Sequence, residues 1–352
     1  MGSLIKLSNE RVWRTYIGGS MIDMFHGYEV CEDTHFPEEW IMSCVESRNS
    51  GREDIKHEGL SKAVETGELL TEVINKNPQK LLGEKHYSKY GKSLGVLIKL
   101  IDSAERLSVQ VHPDKKNAKK YFNSDYGKTE SWHILGGREI NGEKPYIYLG
   151  FKKGIERKCW KEAFDTQDIP AMLSCLNKIY VQKGDTFLIK GGVPHAIGAG
   201  CFLIEVQEPT DYTIRTERIT PSGFKIADFM CHQGIGFDNM MNCFDYTGMS
   251  RDDTIGKYKL KPRENGKYKE IITYEDTKCF ALSILETETG YTLLPEDNFY
   301  GMYVLDGKGM IETDGKVQKT EKGNQFFVGA DTELRLIPHS RIKIAKFYGP
   351  EI

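Results

Sequence analysis

The chain of 352 residues lacks any run of 18 apolar residues, the length that would span a bilayer. Residues 1–6 lack the apolar core of a signal peptide, and Lys6 stands where a myristoylation signal carries Ser or Thr. The formal net charge is -3, which opposes general binding to nucleic acid or to an anionic membrane. The sequence therefore predicts a cytoplasmic protein that has neither nucleic acid nor a membrane as its partner.

The chain also lacks a C-x-x-C pair among its eight cysteines, which argues against a structural zinc knuckle. The cysteines are irregularly spaced in a chain too long to need a disulfide framework. Reduced thiols of a cytosolic protein are therefore favoured over disulfides.

Glycine and aromatic residues are plentiful, with 35 Gly, 18 Tyr and 16 Phe, and apolar runs are short. These features predict a mainly β protein with tight turns, and the chain length predicts two domains. Helical periodicity occurs at about 59–83 and 154–178, and Pro78 is expected to divide the first stretch into two helices. The polar stretch 231–265 is weakly patterned and predicts a crossover or a linker.

Two pairs of segments resemble each other along the chain. Gly-Asp-Thr-Phe-Leu-Ile at 184–189 resembles Gly-Asn-Gln-Phe-Phe-Val at 323–328. His-Ile-Leu-Gly-Gly at 133–137 resembles Tyr-Val-Leu-Asp-Gly at 303–307. The simplest interpretation is two copies of one β-unit, the first of which is interrupted by helices.

Four polar residues in short strand-like segments form a candidate metal site: Gln110, His112, Glu130 and His195. Gln110 and His112 are two positions apart, so in a strand they point to the same side. Glu130 can meet them from a paired strand, and a barrel could bring His195 alongside. Such a set of four nitrogen and oxygen ligands suits a divalent metal.

The charge of this set favours a catalytic ion over a structural one. Two neutral imidazoles, one amide and one carboxylate leave a dication with a residual positive charge, as a Lewis acid requires. Zinc is the first choice because histidine is present, while manganese and iron stay open. In the second copy, Glu130 and His195 correspond to Tyr300 and Leu334, so that copy is predicted to be structural.

Several motifs resemble those of type I mannose-6-phosphate isomerases, most closely the short bacterial form. They occur in the family's order: Ser-Val-Gln-Val-His-Pro-Asp (108–114), Gly-Lys-Thr-Glu (127–130), Pro-His-Ala (194–196) and Asp-Tyr-Thr-Ile-Arg (211–215). The resemblance implies a double cupin, that is, two jelly-roll β-barrels with helical insertions in the N-terminal half. It implies a catalytic domain at residues 1–255 and a C-terminal cupin-like domain without metal ligands at 256–352.

The same resemblance implies an activity and a set of site residues. Family members interconvert D-mannose 6-phosphate and D-fructose 6-phosphate, here expected to proceed through a cis-enediol, and they bind one zinc ion per chain. The four candidate ligands match the family's ligand positions, and its active-site lysine, aspartate and arginine match Lys128, Asp211 and Arg215. The expected partner is a small sugar phosphate, and the chain is expected to be a monomer or a homodimer.

Residue chemistry suggests roles for these groups but leaves alternatives open. Arg215 keeps its proton, so it suits stabilisation of a phosphate or an oxyanion. Lys128 could bind phosphate or act as an acid and base, and Asp211 could carry a proton or orient Arg215. Three further substrate-binding candidates come from the same motifs and their neighbours: Ser108, Lys115 and Lys225.

Two departures from the family pattern leave the substrate preference open. The family's Trp-Gly-Gly opening appears here as 13–19 with an insertion, and Glu-x-Trp-x-x-Ser is retained only in part, at 39–43. The alternatives to the isomerase are a non-catalytic cupin that binds sugar phosphate as a sensor or scaffold, a cupin isomerase acting on a different aldose phosphate, and a metal-dependent dioxygenase.

Overall fold

A computed structural model describes residues 4–49 and 51–352. Strands make up 36% and helices 20% of the chain, so the predicted mainly β class is confirmed. The strands are β1 (Leu4–Leu7), β2 (Arg11–Val12), β3 (Glu38–Ile41), β4 (Leu97–Asp102), β5 (Gln110–Val111), β6 (Glu130–Gly137), β7 (Tyr146–Phe151), β8 (Leu176–Tyr180), β9 (Thr186–Ile189), β10 (His195–Ile197), β11 (Cys201–Gln207), β12 (Ile214–Arg215), β13 (Lys259–Leu260), β14 (Arg263–Asn265), β15 (Tyr268–Ile272), β16 (Ala281–Thr287), β17 (Tyr291–Leu293), β18 (Tyr300–Thr313), β19 (Lys316–Glu321), β20 (Gln325–Val328) and β21 (Leu334–Tyr348).

Short helices connect these strands. They are α1 (Ser20–His26), α2 (Leu70–Lys76), α3 (Pro78–Leu82), α4 (Glu84–Tyr90), α5 (Lys115–Phe122), α6 (Arg157–Asp165), α7 (Ile169–Ser174), α8 (Asp228–His232), α9 (Phe237–Met240) and α10 (Arg251–Tyr258), with a 3₁₀ turn at Met241–Cys243. Within the described residues, no helix is long and apolar enough to cross a membrane. The eight cysteines all lie in the described part and are unpaired thiols.

Within residues 4–49 and 51–352 the strands form three antiparallel sheets. Sheet I has the order β13-β9-β6-β11-β4-β3-β2, and sheet II has the order β12-β5-β10-β7-β8. Sheet III has the order β1-β20-β18-β21-β16-β15-β14, with β17 added to β21 and β19 added to β18. The chain therefore begins in sheet III, because β1 pairs with β20 near the other end of the sequence.

Sheets I and II pack face to face around an apolar core. Trp132 and Phe187 of sheet I lie in one buried cluster with Ile147 and Leu149 of sheet II. Helices α6 and α7 cover the other face of sheet II, and sheet III packs against the other face of sheet I. Alternation along the strands produces these layers, since successive side chains of a strand point to opposite faces.

The internal repeat is confirmed by the strand pairing. Trp132 lies opposite Phe187 where β6 pairs with β9. The corresponding residues of the second copy, Met302 and Phe326, lie opposite each other where β18 pairs with β20. The seven strands of sheet I and the main seven-strand path of sheet III also follow equivalent orders. The two copies therefore share both strand order and register.

The predicted helical stretches are only partly confirmed. The first helix of the 59–83 stretch begins at Leu70, and Pro78 opens α3, where its missing N–H costs nothing. In the 154–178 stretch, α6 and α7 are followed by β8 from Leu176. The spacing of apolar residues overestimates the helices in both stretches, because buried turns and short strands produce a similar spacing.

The stretch 231–265, predicted to be a crossover or a linker, is not an unstructured linker, because it contains α9 and α10. Helix α10 is capped by Ser250, whose side chain accepts a hydrogen bond from the Asp253 N–H. It buries only Thr254 and Tyr258, so its apolar periodicity is too weak to see in the sequence. The predicted domain boundary after residue 255 stays a prediction; β13, which follows it, still pairs with β9 of sheet I.

Candidate active site

The four predicted metal ligands converge between sheets I and II. Gln110 and His195 lie directly opposite each other where β5 pairs with β10. His112 follows β5, and Glu130 is the first residue of β6 on the facing sheet. The packing of the two sheets thus brings together residues that are far apart in the chain.

The candidate ligand atoms lie close together in a buried cluster. His112 Nε2 is 3.0 Å from Glu130 Oε2 and 3.2 Å from His195 Nε2. His195 Nε2 is 3.3 Å from Glu130 Oε1 and 3.3 Å from the amide nitrogen of Gln110. A flip of the Gln110 amide exchanges its nitrogen and oxygen, so the oxygen can face the same centre.

Backbone carbonyls orient both imidazoles for metal binding. His112 Nδ1 donates to the Tyr212 carbonyl at 2.9 Å, and His195 Nδ1 donates to the Val193 carbonyl at 2.8 Å. In this tautomer each Nε2 presents a lone pair to the cluster. Burial, reinforced by the charge of Lys128, lowers the pKa of His112 to about 3, and burial also lowers the pKa of His195. Both rings are therefore neutral, as metal ligands must be.

The environment of the Glu130 carboxylate shows whether these residues fit a divalent cation. Its side chain is fully buried, and neither carboxylate oxygen has a hydrogen-bond partner among the described residues. The facing Nε2 atoms carry no proton, so lone pairs and a carboxylate would repel one another across about 3 Å unless a cation lay between them. The donor set therefore fits a divalent metal, which would satisfy all of these atoms.

A polar cavity adjoins the cluster and includes Gln110 and Ser108 in its wall. In the described part of the chain, its charged lining consists of four cationic and three acidic side chains: Arg14, Lys99, Lys128, Arg215, Glu38, Glu205 and Asp211. The cavity therefore carries one positive charge in excess before any metal is counted.

Lys128 lies where the cavity meets the cluster. Its Nζ is 3.1 Å from His112 Nε2 and 3.6 Å from Glu130 Oε2, and its side chain is buried. Burial and the nearby charge of Lys99 lower the pKa of Lys128. The ammonium can therefore reach a molecule that is bound at the metal position.

Asp211 and Arg215 both line the cavity but are not paired with each other. Asp211 Oδ2 is 3.4 Å from Arg14 Nη1 and accepts a hydrogen bond from the Arg48 N–H at 3.2 Å. Arg215 Nη1 donates to the carbonyls of Thr213 and Met230, and Arg215 forms no ion pair with any described residue. The predicted orientation of Arg215 by Asp211 therefore has no direct contact to support it.

The three substrate-binding candidates lie in different environments. Ser108 lines the cavity, and its hydroxyl has no partner among the described residues. Lys115 is outside the cavity wall, with a side chain that is 65% exposed and 3.7 Å from Glu208 Oε1. Lys225 is exposed and its backbone bridges to Ile219. Ser108 is thus the one of the three that the fold places beside the cluster.

Residues that the sequence did not single out complete the cavity wall. Glu38 accepts hydrogen bonds from Arg14 Nε at 2.9 Å, Tyr16 Oη at 2.8 Å and Trp40 Nε1 at 2.7 Å. The sequence contains a signal for this network, because Glu-x-Trp-x-x-Ser is complete from Glu38 to Ser43. The prediction that the motif is retained only in part, at 39–43, is therefore wrong.

A second buried acid links the cavity to the cluster. Glu205 accepts from Lys99 Nζ at 2.9 Å and from Trp132 Nε1 at 3.0 Å. The Trp132 ring meets the His195 ring edge-on, with centroids 5.4 Å apart. Trp132 therefore contacts a candidate metal ligand through its ring and a cavity acid through its N–H.

Arg14 connects two of the buried acids, and its removal is expected to destabilise the fold. Arg14→Met leaves Glu38 and Asp211 without their shared cation, which costs about 3–5 kcal/mol in the free energy of unfolding. Burial alone would raise the pKa of Glu38, but Arg14 and Lys99 hold it at about 2 against an ordinary 4.5. The ionised Glu38 therefore contributes its full stabilisation of the fold above pH 4.5, and this contribution is lost as the pH falls towards 2.

Denaturant unfolding as a function of pH checks this prediction. The Arg14→Met curve should be lower at neutral pH and should fall less steeply in the acid range, because the Glu38 pKa is less depressed without the guanidinium. The matched control is Arg251→Met, which removes an exposed pair with Asp252 and should change stability by less than about 0.5 kcal/mol. Equal stabilities for the two variants would contradict the proposed importance of the network.

Comparisons with known proteins find similar sequences over most of the chain. The profile of the phosphomannose isomerase type I catalytic domain matches residues 54–130. The probable mannose-6-phosphate isomerase GmuF of Bacillus subtilis is 30% identical over 331 residues, covering 91% of this chain and 90% of that protein. Mannose-6-phosphate isomerase of Streptococcus mutans is 29% identical over 213 residues, covering 59% of this chain and 57% of that protein.

The fold is also that of a solved structure. The crystal structure of mannose 6-phosphate isomerase from Bacillus subtilis matches with a TM-score of 0.71 and 18% identity, over 97% of this chain and 99% of that chain. The mainly β fold and the buried His112/Glu130/His195 cluster define a β-protein with a candidate metal site beside a polar cavity. Because the similarity to GmuF spans nine-tenths of both sequences, the chain belongs to the mannose-6-phosphate isomerase family.

Proposed function

We propose that this protein is a metal-dependent aldose–ketose isomerase that interconverts D-mannose 6-phosphate and D-fructose 6-phosphate through a cis-enediol. The observation that carries the proposal is the convergence of two unprotonated Nε2 atoms on the unpaired Glu130 carboxylate, next to a positively charged cavity. Gln110, His112, Glu130 and His195 would hold one divalent ion, for which zinc is the first choice. When bound, it would supply a Lewis acid at the carbonyl oxygen of the sugar.

The proposed architecture is a double cupin. Sheets I and II would form the catalytic barrel within residues 1–255, and sheet III would form the second barrel, mostly within 256–352. The shared strand order of sheets I and III supports this division. The metal positions of the second barrel are filled by core residues, among them Tyr300 and Leu334.

The charge of the cavity supports a phosphorylated substrate. The lining has one positive charge in excess, and the metal with Glu130 as its single anionic ligand would add another. A phosphate monoester carries about −1.5 to −2 charges at neutral pH, which is a close match. Arg215 keeps Nε and Nη2 free of protein partners among the described residues, and the Ser108 hydroxyl is also unpaired. We assign these groups to the substrate's phosphate and hydroxyl oxygens.

Two lining groups are suited to the proton transfer between C1 and C2. Lys128 Nζ borders the cluster, so it would donate hydrogen bonds to substrate oxygens there and exchange a proton with them. The Asp211 carboxylate is kept ionised beside Arg14, whose charge holds the Asp211 pKa below its ordinary value despite burial. An ionised carboxylate in the cavity can accept the proton from carbon.

A coupled assay for fructose 6-phosphate formation tests the proposed function. We expect turnover of mannose 6-phosphate but not of mannose, because the cavity's excess charge would remain unmatched by a neutral sugar. Chelation of metal should abolish the turnover and added zinc should restore it. Absence of turnover above background with zinc, manganese or iron supplied would contradict the isomerase.

A different aldose phosphate is the second candidate substrate. It is favoured by Arg14, which enters the cavity wall from the insertion at 13–19 that departs from the family pattern. Measuring kcat/KM for a panel of aldose phosphates, with direct detection of the ketose phosphate that each one yields, distinguishes the two candidates. A higher kcat/KM for another aldose phosphate than for mannose 6-phosphate would transfer the proposal to that substrate.

A further inference from the structure

The second copy of the β-unit contains its own polar cavity, which the proposed reaction does not use. Its wall includes side chains from β15, β16 and β21 and from the segment before β18. The residues that matter here are Tyr268, Ser283, Glu296, Asn298, Lys346 and Tyr348. We call it the second cavity, and the cavity beside His112 the catalytic cavity.

Strand pairing places the second cavity at the position of the catalytic cavity. Lys346 lies opposite Ser283 where β21 pairs with β16. In the first copy, Glu205 lies opposite Lys99 where β11 pairs with β4. The pairings of β18 with β21 and of β6 with β11 put Lys346 in register with Glu205. Lys346 and Ser283 therefore occupy the positions of Glu205 and Lys99.

Two more lining residues correspond in the same way. Asn298 lies two residues before the start of β18, as Lys128 lies two residues before the start of β6. Tyr268 lies opposite Leu285 on β16, as Glu38 lies opposite Ile101 on β4. The second cavity thus repeats the catalytic cavity in position, with different side chains in the wall.

The metal site itself is not repeated. The Gln110–His195 pair corresponds to Leu293 and Leu334, which lie opposite each other where β17 pairs with β21. Glu130 corresponds to Tyr300, and all three replacements belong to the buried core of sheet III. The second cavity therefore has polar walls without the ligands for a catalytic ion.

One polar group in this wall is buried and has no hydrogen-bond partner among the described residues. Asn298 is 7% exposed, and its Oδ1 accepts no hydrogen bond from any described residue. A buried carbonyl left in this state costs about 1–3 kcal/mol, which a ligand hydroxyl would recover. Nearby, Lys346 Nζ is 2.7 Å from Glu296 Oε1 and 4.0 Å from the centroid of the Tyr300 ring. Tyr348 Oη also donates to Glu296 Oε1, at 3.1 Å.

The wall chemistry indicates an uncharged, hydroxyl-rich ligand. Tyr268 and Tyr348 offer aromatic faces, while Ser283, Glu296 and Asn298 offer hydrogen-bonding groups. Among the described lining residues, the acids Glu270, Glu296 and Asp297 outnumber the single cation Lys346. An anion such as a sugar phosphate would therefore be repelled from a wall that accepts hydroxyl groups well.

We propose that the second cavity binds a neutral pyranose monosaccharide without converting it. The assignment to a sugar rests on the proposed function, because it follows from the equivalence of this cavity with one that takes a sugar phosphate. The loss of the metal ligands and of the excess positive charge changes the preference from a phosphorylated, reacting sugar to an uncharged, non-reacting one.

Binding of methyl α-D-mannopyranoside to the full chain tests the proposal, since this glycoside cannot open to an aldehyde. Saturation-transfer NMR and calorimetry should detect equal binding to the wild type and to the metal-site variant His195→Ala. Asn298→Leu should weaken binding at least about tenfold, the equivalent of one hydrogen bond. Gln318→Leu, an amide removed from β19 in the same sheet but outside the cavity wall, should bind as the wild type does.

The possible outcomes separate the second cavity from the catalytic one. Asn298→Leu should keep wild-type turnover of mannose 6-phosphate, and inorganic phosphate should not displace the glycoside. If Asn298→Leu does not fold, Tyr268→Ala, in the half-buried part of the wall, provides the same comparison. The proposal would be overturned if the wild type does not bind the glycoside. It would also be overturned if Asn298→Leu and Tyr268→Ala bind as the wild type does, or if His195→Ala loses binding. If only the proposed isomerase function is wrong, the wild type will bind the glycoside but will not turn over any aldose phosphate.

Discussion

His112→Ala is expected to abolish both divalent-metal binding and isomerase turnover while the protein stays folded. The substitution removes one of the two Nε2 atoms that face Glu130 and leaves the carboxylate without a shared cation. Changes to groups that merely orient metal ligands cost roughly 10- to 100-fold, so loss of a ligand should exceed about 100-fold. Elemental analysis of the purified variant, together with the coupled assay, measures both effects.

Folding is expected to survive because the ion is a small part of a large core. The apolar cluster between sheets I and II does not include His112, and the two sheets pair through many other residues. Circular dichroism and thermal unfolding should thus remain close to those of the wild type. The matched control is the exposed His339→Ala, which should keep metal and activity. Full metal content in His112→Ala would remove this residue from the ligand set.

Arg215→Lys is expected to keep the metal but to lose most of the turnover. The guanidinium uses Nη1 to bond the carbonyls of Thr213 and Met230, and its other N–H groups remain for the substrate. A single ammonium cannot hold both carbonyls and also present a planar pair of donors to an oxyanion. Loss of one preorganised oxyanion donor typically costs about 10²- to 10³-fold in kcat, and we expect a loss of that size.

Arg218→Lys is the matched control for this experiment. Arg218 lies three residues further along, is partly exposed and pairs with Asp228, so its replacement should leave kcat nearly unchanged. Steady-state kinetics separates the roles of Arg215: a rise in KM alone indicates phosphate binding, whereas a fall in kcat indicates stabilisation of the reacting oxygens. Near-native kcat and KM in Arg215→Lys would exclude it from the mechanism.

Much of the candidate site could be predicted from the sequence because its residues lie in short, bounded segments. The two-residue spacing of Gln110 and His112 predicts that both point to the same side of a strand, and the two copies of the β-unit are visible as repeated segments. The contacts of Asp211 could not be predicted in this way. Its partner Arg14 is 197 residues distant, and only the packing of the N-terminal insertion against the cavity brings the two together.

Helix boundaries were predicted poorly for a related reason. Leu70, Ile74 and Leu82 pack into the interface between sheets I and III. The stretch 59–83 contains turns, isolated β-bridges and two short helices, and all of these place some side chains in the interior. The spacing of apolar residues indicates which side chains are buried. It distinguishes a helix from an irregular segment only when it persists over several helical turns. Lys115 and Lys225 are candidates because of the motifs that they belong to or adjoin, but a motif does not determine the exposure of its side chains, and both lysines are exposed.

The sequence by itself determined the mainly β class, the internal repeat, and the residue types able to bind a divalent cation, because these follow from local alternation, repetition and side-chain chemistry. Only the tertiary structure decided which charges share the catalytic cavity, that Asp211 pairs with Arg14, and that the second copy keeps a polar cavity of its own. Those properties arise where side chains from distant strands meet across two packed sheets, and no single segment contains the register that brings them together.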